Sequence, residues 1–239
     1  MHPELSRVLL TGASRGLGAA LARALAARGY RLFLAARNAE ELRTRATALE
    51  REHGAPVGCM RVDLRDAADC RALAAAAESH LGGIDVLINN AAIGQYKPVV
   101  EWSDVEVLDV LALNLAAPIL LARAALPGML ARGRGYIVDV ASDLARRPLA
   151  NMAPYVASKF GLLGFGASLH REVRDRGVRL TTVMPGIIDS AFNEGKEGSK
   201  DERWALPTDV VAARIVELLE LPYNVMVDEL TIHPASGDY

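Results

Sequence analysis

A doubly wound α/β fold built on a parallel sheet is the architecture this sequence predicts, and three observations predict it. Short apolar runs of strand type alternate with longer segments of helical period along the 239 residues. The short runs are near-continuous in apolar residues, as in strands buried on both faces. A glycine-rich turn, Thr11 to Gly18, joins the first run to the first helical segment. Strict alternation of this kind implies right-handed crossovers, with helices on both sides of the sheet.

Taken in order, residues 8–10 form a first strand. Leu17, Ala20, Leu21, Ala24 and Leu25 then recur at helical spacing until Gly29 stops them. Residues 32–35 read as a strand and 40–52 as a helix. Residues 57–62 form the next strand, and Asp66 is the N-cap of an Ala-rich helix ending near Leu81. Further strands fall at 84–88, 136–140 and 180–183, separated by long helical stretches at 104–132 and 154–176. A last helix follows Thr208, and 225–232 is the final strand. The expectation is one three-layer α/β/α domain over 1–239. Its one irregular insert, 190–207, is charged, holds Gly195 and Gly198, and reads as a substrate lid.

Composition narrows the function classes. Twenty-seven basic and 29 acidic residues give a net charge of −2 without a basic run, which argues against nucleic-acid binding. Cys59 and Cys70 lack metal-site spacing, and two thiols make no secretory framework. His2, His53, His80, His170 and His233 are scattered, so no metal is expected. Residues 1–10 do not read as a signal peptide. The most apolar region, 111–130, is interrupted by Asn114, Pro118 and Arg123, and reads as a buried helix rather than a membrane span. The cytoplasm is the expected location.

The turn Thr11-Gly12-Ala13-Ser14-Arg15-Gly16-Leu17-Gly18 has the spacing Gly-x-x-x-Gly-x-Gly, not the common Gly-x-Gly-x-x-Gly. Glycines there let the backbone approach a pyrophosphate at a helix N-terminus, although a ligand-free turn has the same composition. Tyr155 and Lys159, four apart in a helical stretch, share one face. A tyrosine with an ordinary pKa near 10 is a poor acid–base group at neutral pH, and a nearby ammonium lowers it. Ser142 lies just beyond the fifth strand, either as a substrate ligand or as a turn cap. Asn114 sits mid-helix, where asparagine is a mediocre helix former and a buried amide needs partners.

These elements, with Asn89-Asn90-Ala91 and Pro185-Gly186, occur in the order of the short-chain dehydrogenase/reductase family, which the chain resembles over nearly its whole length. The resemblance implies a Rossmann-type fold and a nicotinamide cofactor. It also implies catalysis by Asn114, Ser142, Tyr155 and Lys159. In it, Ser142 hydrogen-bonds the substrate oxygen, and Lys159 holds the nicotinamide ribose and tunes Tyr155. Asn114 perturbs its helix and holds a water. Cofactor contacts carried over are Gly12, Ser14, Arg15, Gly16, Leu17, Gly18, Asn90, Tyr155 and Lys159, with Pro185, Gly186 and Ile188 after the sixth strand. Asp63 and Leu64 resemble the adenine contact, although Asp63 could equally cap a turn. Ala92 departs from the family, which usually carries glycine there.

The second strand runs into Ala36-Arg37 with no carboxylate to hold a ribose 2′-hydroxyl. Arg37 and Arg15 can instead clamp a 2′-phosphate, which favours NADP(H). The expected reaction is hydride transfer between NADP(H) and a small-molecule carbonyl/alcohol pair, with Tyr155 as general acid/base. Two alternatives stay open: a non-catalytic NADP(H)-sensing protein on the same fold, and an NAD-dependent alcohol dehydrogenase. The substrate pocket should be lined by 95–98, 143–151, Ile187 and the insert, where Trp204 either covers an apolar substrate or anchors the insert. The resemblance further implies a homo-oligomer, a dimer or tetramer. Helices within 111–132 and 155–176 carry more apolar residues than one buried stripe requires.

Overall fold

The computed structural model describes residues 5–190, 192, 195, 198–201 and 203–236. His2, part of the N-terminal stretch and part of the 190–207 insert lie outside the described residues. Within the first strand, β1 (Arg7–Thr11), side chains alternate: Val8 and Leu10 enter one apolar cluster and Leu9 the other. That alternation sets up the two sides of the core. The chain continues through α1 (Gly16–Ala26), β2 (Arg31–Ala36), α2 (Ala39–His53), β3 (Val57–Arg61), α3 (Ala67–Leu81) and β4 (Val86–Asn89). Next come α4 (Asp104–Leu111), α5 (Ala117–Ala131), β5 (Gly135–Val140), α6 (Ala153–Val173) and β6 (Val178–Pro185). The short β7 (Ile188–Asp189) and β8 (Leu206–Pro207), then α7 (Thr208–Glu220) and β9 (Glu229–Ile232), complete it.

Seven of these strands form one parallel sheet in the order β3-β2-β1-β4-β5-β6-β9. Leu21 and Leu25 of α1, Leu42 and Leu49 of α2, and Ile215 and Leu219 of α7 cover one face. Leu73 of α3, Leu121 of α5 and Leu169 of α6 cover the other. The doubly wound, three-layer architecture is the one expected.

Several details differ from the pattern-based reading, each for a local reason. The expected helix 104–132 is two helices joined by a π-helical turn, Ala112–Ala116, that contains Asn114. The helix expected to reach residue 176 leaves α-geometry after Val173 and ends through a 3₁₀ turn at Gly177, whose φ of 79° suits glycine. The last strand is shorter than 225–232. The carbonyls of Val225 and Val227 are taken by the Arg179 guanidinium and the Thr181 hydroxyl before the ladder begins. Asp66 caps α3 as expected, accepting from the Ala68 N–H at 2.7 Å. The pairing of β7 with β8, which closes the base of the insert, was not foreseen.

By length and composition alone, the run Asp104–Ala131 would cross a membrane. Here the π turn interrupts it, and Leu113, Leu121, Ala125 and Met129 are buried in the core.

At the N-terminal end of the sheet, Asp85 ties three strands together. Its carboxylate accepts from the Arg7 Nε at 2.8 Å and Nη2 at 2.5 Å, and from the Ser6 and Arg7 N–H groups. Its main chain bonds Arg7 and Tyr136. Burial works against its ionisation, but the Arg7 bonds outweigh that and hold its pKa below the ordinary value. Asp85→Ala strands the Arg7 charge and frees two N–H groups. We expect a loss of about 3 kcal/mol in unfolding free energy, measured as a lower urea midpoint at unchanged slope. A midpoint within error of wild type would show the ion pair to be dispensable.

Candidate active site

The residues singled out in the sequence collect at the C-terminal edge of the sheet, where the strand order reverses between β1 and β4. In open α/β sheets that crevice is where ligands bind. Thr11 closes β1 with a buried hydroxyl that accepts from the N–H groups of Asn90 (3.0 Å) and Ala91 (3.1 Å). The Asn90 amide donates back to the carbonyls of Thr11 (3.0 Å) and Gly12 (3.3 Å). Gly12 has a φ of 68°, and a Cβ on it would lie 2.9 Å from Ala91 Cα. A Cβ on Gly18 would lie 2.0 Å from the Gly12 carbonyl oxygen, so no side chain fits there.

Gly16 opens α1 with a φ of 54°, and Leu17 packs into the core behind it. No side chain caps α1, and its first turn holds no acid. This contrasts with α2, α3 and α4, which are capped by Asn38, Asp66 and Ser103. An uncapped helix start behind a glycine cradle fits a pyrophosphate, whose charge the exposed N–H groups and the helix dipole stabilise.

Arg15 and Arg37, expected to hold a 2′-phosphate, are both exposed. Arg45, one turn into the body of α2, was not anticipated. Its Nε donates to the Ser14 carbonyl at 3.1 Å, so it braces the glycine-rich loop from α2. Nothing in its spacing from Arg37 would have shown this, because the contact depends on how α2 lies against the loop. Asp63 has Arg65 on both carboxylate oxygens, at 2.5–3.1 Å, and accepts from the Arg65 N–H. Those bonds to Arg65 hold its pKa down. Arg65 also bonds Asp109 of α4. Leu64 is buried in the core beside them.

Asn114, Ser142, Tyr155 and Lys159 come together from three elements. Ser142 follows β5, Asn114 sits in the π turn, and Tyr155 and Lys159 lie on the buried face of α6. The Asn114 amide is fully engaged: Oδ1 accepts from the Ile93 N–H at 2.9 Å, and Nδ2 donates to the Ile93 carbonyl (2.7 Å) and to Ser158 Oγ (3.1 Å). Ser158 in turn donates to the Tyr155 carbonyl at 2.6 Å. Ser158 was missed, although its position three residues after Tyr155 on the same helix was the available signal.

Lys159 is only 2% exposed and its Nζ donates to the Val140 carbonyl at 2.8 Å. The same Nζ lies 5.6 Å from the Tyr155 ring centre. The expectation that Lys159 lowers the Tyr155 pKa is corrected for this arrangement. Burial pushes Tyr155 up to about 12, the Ser142 hydroxyl opposing and the Asp143 charge adding to the rise. Burial brings Lys159 down to about 8, against the Asp139 carboxylate. Asp139 itself, a carboxylate inside an apolar strand, is raised to about 6 by burial. It accepts from Asn89 Nδ2 at 2.8 Å, while its Oδ2 and Asn89 Oδ1 have no hydrogen-bond partner among the described residues.

Loops complete the pocket wall. Lys97 N–H bonds the Asn151 carbonyl at 2.8 Å, joining the two expected lining segments, and Asn151 holds a left-handed φ of 64°. Ala92 is not in a left-handed conformation, so its methyl group is tolerated without backbone strain. The close approach falls instead at Gly94, where a Cβ would meet the Tyr155 ring at 2.7 Å. Past β6, the Gly186 N–H bonds Ile232, and Ile188 enters β7. Phe192 of the insert packs on the Tyr155 ring at 5.8 Å between centres. Trp204 is 42% exposed and thus not an anchor buried in the body.

With the site defined, comparison with known proteins identifies its family. A family model for short chain dehydrogenases matches residues 6–201. A putative ketoacyl reductase of Streptomyces coelicolor is 33% identical over 224 residues, covering 93% of this chain and 85% of that protein. D-threitol dehydrogenase of Mycolicibacterium smegmatis is 35% identical over 217 residues, covering 87% and 83%. Among solved structures, an alcohol dehydrogenase from the archaeon Thermococcus sibiricus, complexed with 5-hydroxy-NADP, superposes with a TM-score of 0.92 at 31% identity. The match covers 99% of this chain and 100% of that one. The chain belongs to the short-chain dehydrogenase family.

Arg37→Ala is expected to weaken NADPH binding about 10–100-fold while leaving NADH binding nearly unchanged, from the loss of charge-assisted phosphate bonds. Fluorescence titration with each coenzyme checks this, and equal losses for both would place Arg37 away from the 2′-phosphate.

Proposed function

We propose that this chain, an NADP(H)-linked oxidoreductase of the short-chain family, reduces a small-molecule carbonyl compound with Tyr155 as general acid and oxidises the alcohol with Tyr155 as general base. The observation that carries the reading is the buried cluster of Ser142, Tyr155 and Lys159 beside the uncapped start of α1. When bound, NADP(H) supplies or accepts the hydride. Gly12, Ser14, Arg15, Gly16, Leu17 and Gly18 would hold its phosphates and Arg37 its 2′-phosphate. Asp63 and Leu64 would hold the adenine, with Asn90, Pro185, Gly186 and Ile188 lining the remaining length.

The protein's own groups divide the work. The Ser142 hydroxyl donates to the carbonyl oxygen and fixes its direction. Tyr155, kept protonated by its burial, delivers a proton to that oxygen. Lys159, whose Nζ donates to the Val140 carbonyl and lies 5.6 Å from the Tyr155 ring centre, would hold the nicotinamide ribose, and its charge there works against the rise that burial imposes on the phenol. Asn114 holds the π turn and, through Ser158, the backbone under Tyr155. The insert 190–207 acts as the lid, a role supported by the contact of Phe192 with Tyr155. Free Cys59 and Cys70 agree with a reducing cytoplasm.

Tyr155→Phe keeps the ring and should lower kcat about 10²–10⁴-fold with NADPH affinity retained. A good carbonyl substrate turned over at near wild-type rate by this variant would falsify the assignment. The raised phenol pKa sets the pH dependence. Reduction needs the protonated form, so its rate holds through neutral pH and falls only in strongly alkaline buffer. Oxidation needs the phenolate, so its rate climbs with pH over the same range. Matching optima in the two directions, in initial-rate profiles, would contradict this.

We also read the chain as a homo-oligomer. A shallow groove of about 280 Å³ between α5 and α6 is lined by Ile119, Leu126, Pro127, Phe165 and Leu169. Val105, Leu108 and Phe160 stand exposed on α4 and α6. A second copy applying the same helices would cover these side chains. Light scattering should give a mass at least twice the 25.6 kDa of one chain. A monomer at micromolar concentration would exclude it.

A further inference from the structure

We propose that Asp143 is a specificity-determining residue, selecting carbonyl substrates that carry a hydroxyl on the carbon next to the carbonyl. The inference rests on the oxidoreductase reading above and extends it to the substrate class. Asp143 directly follows Ser142 and opens a short 3₁₀ turn, Asp143–Ala145. It is 6% exposed, and no ion pair among the described residues neutralises it. The neighbouring Arg146 is turned away to Glu229, at 2.5 Å. The Asp143 main-chain carbonyl accepts from the N–H groups of Arg146 and Arg147.

Among the described residues, the donor to its carboxylate is the Ser142 hydroxyl, which gives its hydrogen to Asp143 Oδ1 at 3.2 Å. Ser142 Oγ accepts from the Leu144 N–H at 3.2 Å, so that side of the hydroxyl is committed as well. A serine hydroxyl carries one proton. When Ser142 donates to a substrate oxygen, it must release Asp143, and Oδ1 of this largely buried carboxylate loses that donor. A plain ketone bears that penalty in full.

A substrate with a hydroxyl beside the carbonyl brings a replacement. Its O–H lies roughly 3 Å from the carbonyl oxygen, a hydrogen-bond distance that matches the separation of Ser142 Oγ from Asp143 Oδ1. It can therefore donate to Asp143 while Ser142 holds the carbonyl. A carboxylate at the same position meets a like charge and is disfavoured. The 3.2 Å bond to Ser142 keeps the Asp143 carboxylate next to the hydroxyl that would hold the substrate oxygen, and its charge adds to the rise of the Tyr155 phenol. A hydrogen bond to a charged group corresponds to about a 10–100-fold preference.

The test compares kcat/KM with NADPH for 3-hydroxy-2-butanone and 2-butanone in wild type, Asp143→Asn and Asp143→Leu. NADPH affinity and thermal midpoint report on folding. Wild type should favour the hydroxyketone at least about tenfold. Asp143→Leu should abolish the preference, losing on the hydroxyketone and gaining on the plain ketone because Ser142 is released. Asp143→Asn, which keeps an acceptor but no charge, should fall between them. If Asp143 merely orients Ser142, both substrates suffer alike in each variant, and the proposal is overturned. A wild-type ratio near one overturns it while leaving the oxidoreductase reading intact. Should the Leu variant fail to bind NADPH, the Asn variant decides, and an unchanged ratio there is fatal. Wild-type protein that binds NADPH but reduces neither ketone overturns this assignment and leaves the oxidoreductase reading, which names no particular carbonyl compound, intact.

Discussion

The constraint on which the rest of this structure depends is the near-contact between the end of β1 and the first turn of α1. The Gly12 carbonyl passes so close to Gly18 that a single methyl group would collide with it. Asn90 locks this arrangement from the neighbouring strand, spending its amide on the carbonyls of Thr11 and Gly12. Because β1 and β4 are the two strands between which the winding reverses, this tie sets the width of the crevice. It also aims the α1 N–H groups across the crevice. Asn38, Asp66 and Ser103 cap α2, α3 and α4, whereas α1, like α6 and α7, starts without a side-chain cap, and of these three it is α1 that starts behind the glycine turn.

Beneath the crevice lies a layer of polar groups withdrawn from water. Tyr155, Lys159, Asp139 and Asn89 are all buried, and burial displaces each titratable member towards its neutral form. Neighbours moderate the displacement: Asn89 serves Asp139, Asp139 supports the charge on Lys159, and Ser142 opposes the rise at Tyr155. The ionisation of this layer thus depends on a chain of groups from β4 through β5 to α6, and not on the Tyr155–Lys159 pair in isolation. Removing any one member alters the field at the others, so single substitutions here should be strongly non-additive.

The fold was legible in the sequence because its signals are local and repeated: apolar strand runs, helical spacing and the Asp66 cap. The grouping of Asn114, Ser142, Tyr155 and Lys159 was legible for a different reason, since their order along the chain matches a known family. The failures share a physical cause. Arg45 on Ser14, Ser158 between Asn114 and Tyr155, and the β7–β8 pair are contacts between segments, and periodicity carries no trace of them. Ala92 stood out as a departure, yet the steric demand falls two residues later at Gly94, where the loop meets a ring from α6. The direction of the Tyr155 shift was misjudged because spacing reveals a neighbouring charge but not the depth at which both groups are buried.

The two-residue pairing of β7 with β8 has a consequence for how such a protein can change. Ile188 opposite Leu206, and Asp189 opposite Pro207, fix the two feet of the intervening segment to the domain. The cost of bringing those ends together is met by the body of the fold and grows only slowly with the length spanned. The segment above the clasp can therefore be lengthened, shortened or rewritten with little penalty to the sheet or to the helices carrying Tyr155 and Lys159. The insert and the cluster around Tyr155 can then vary separately. A graft of a different span between Asp189 and Leu206 would change which molecules are admitted, while the proton and hydride machinery below it stays in register.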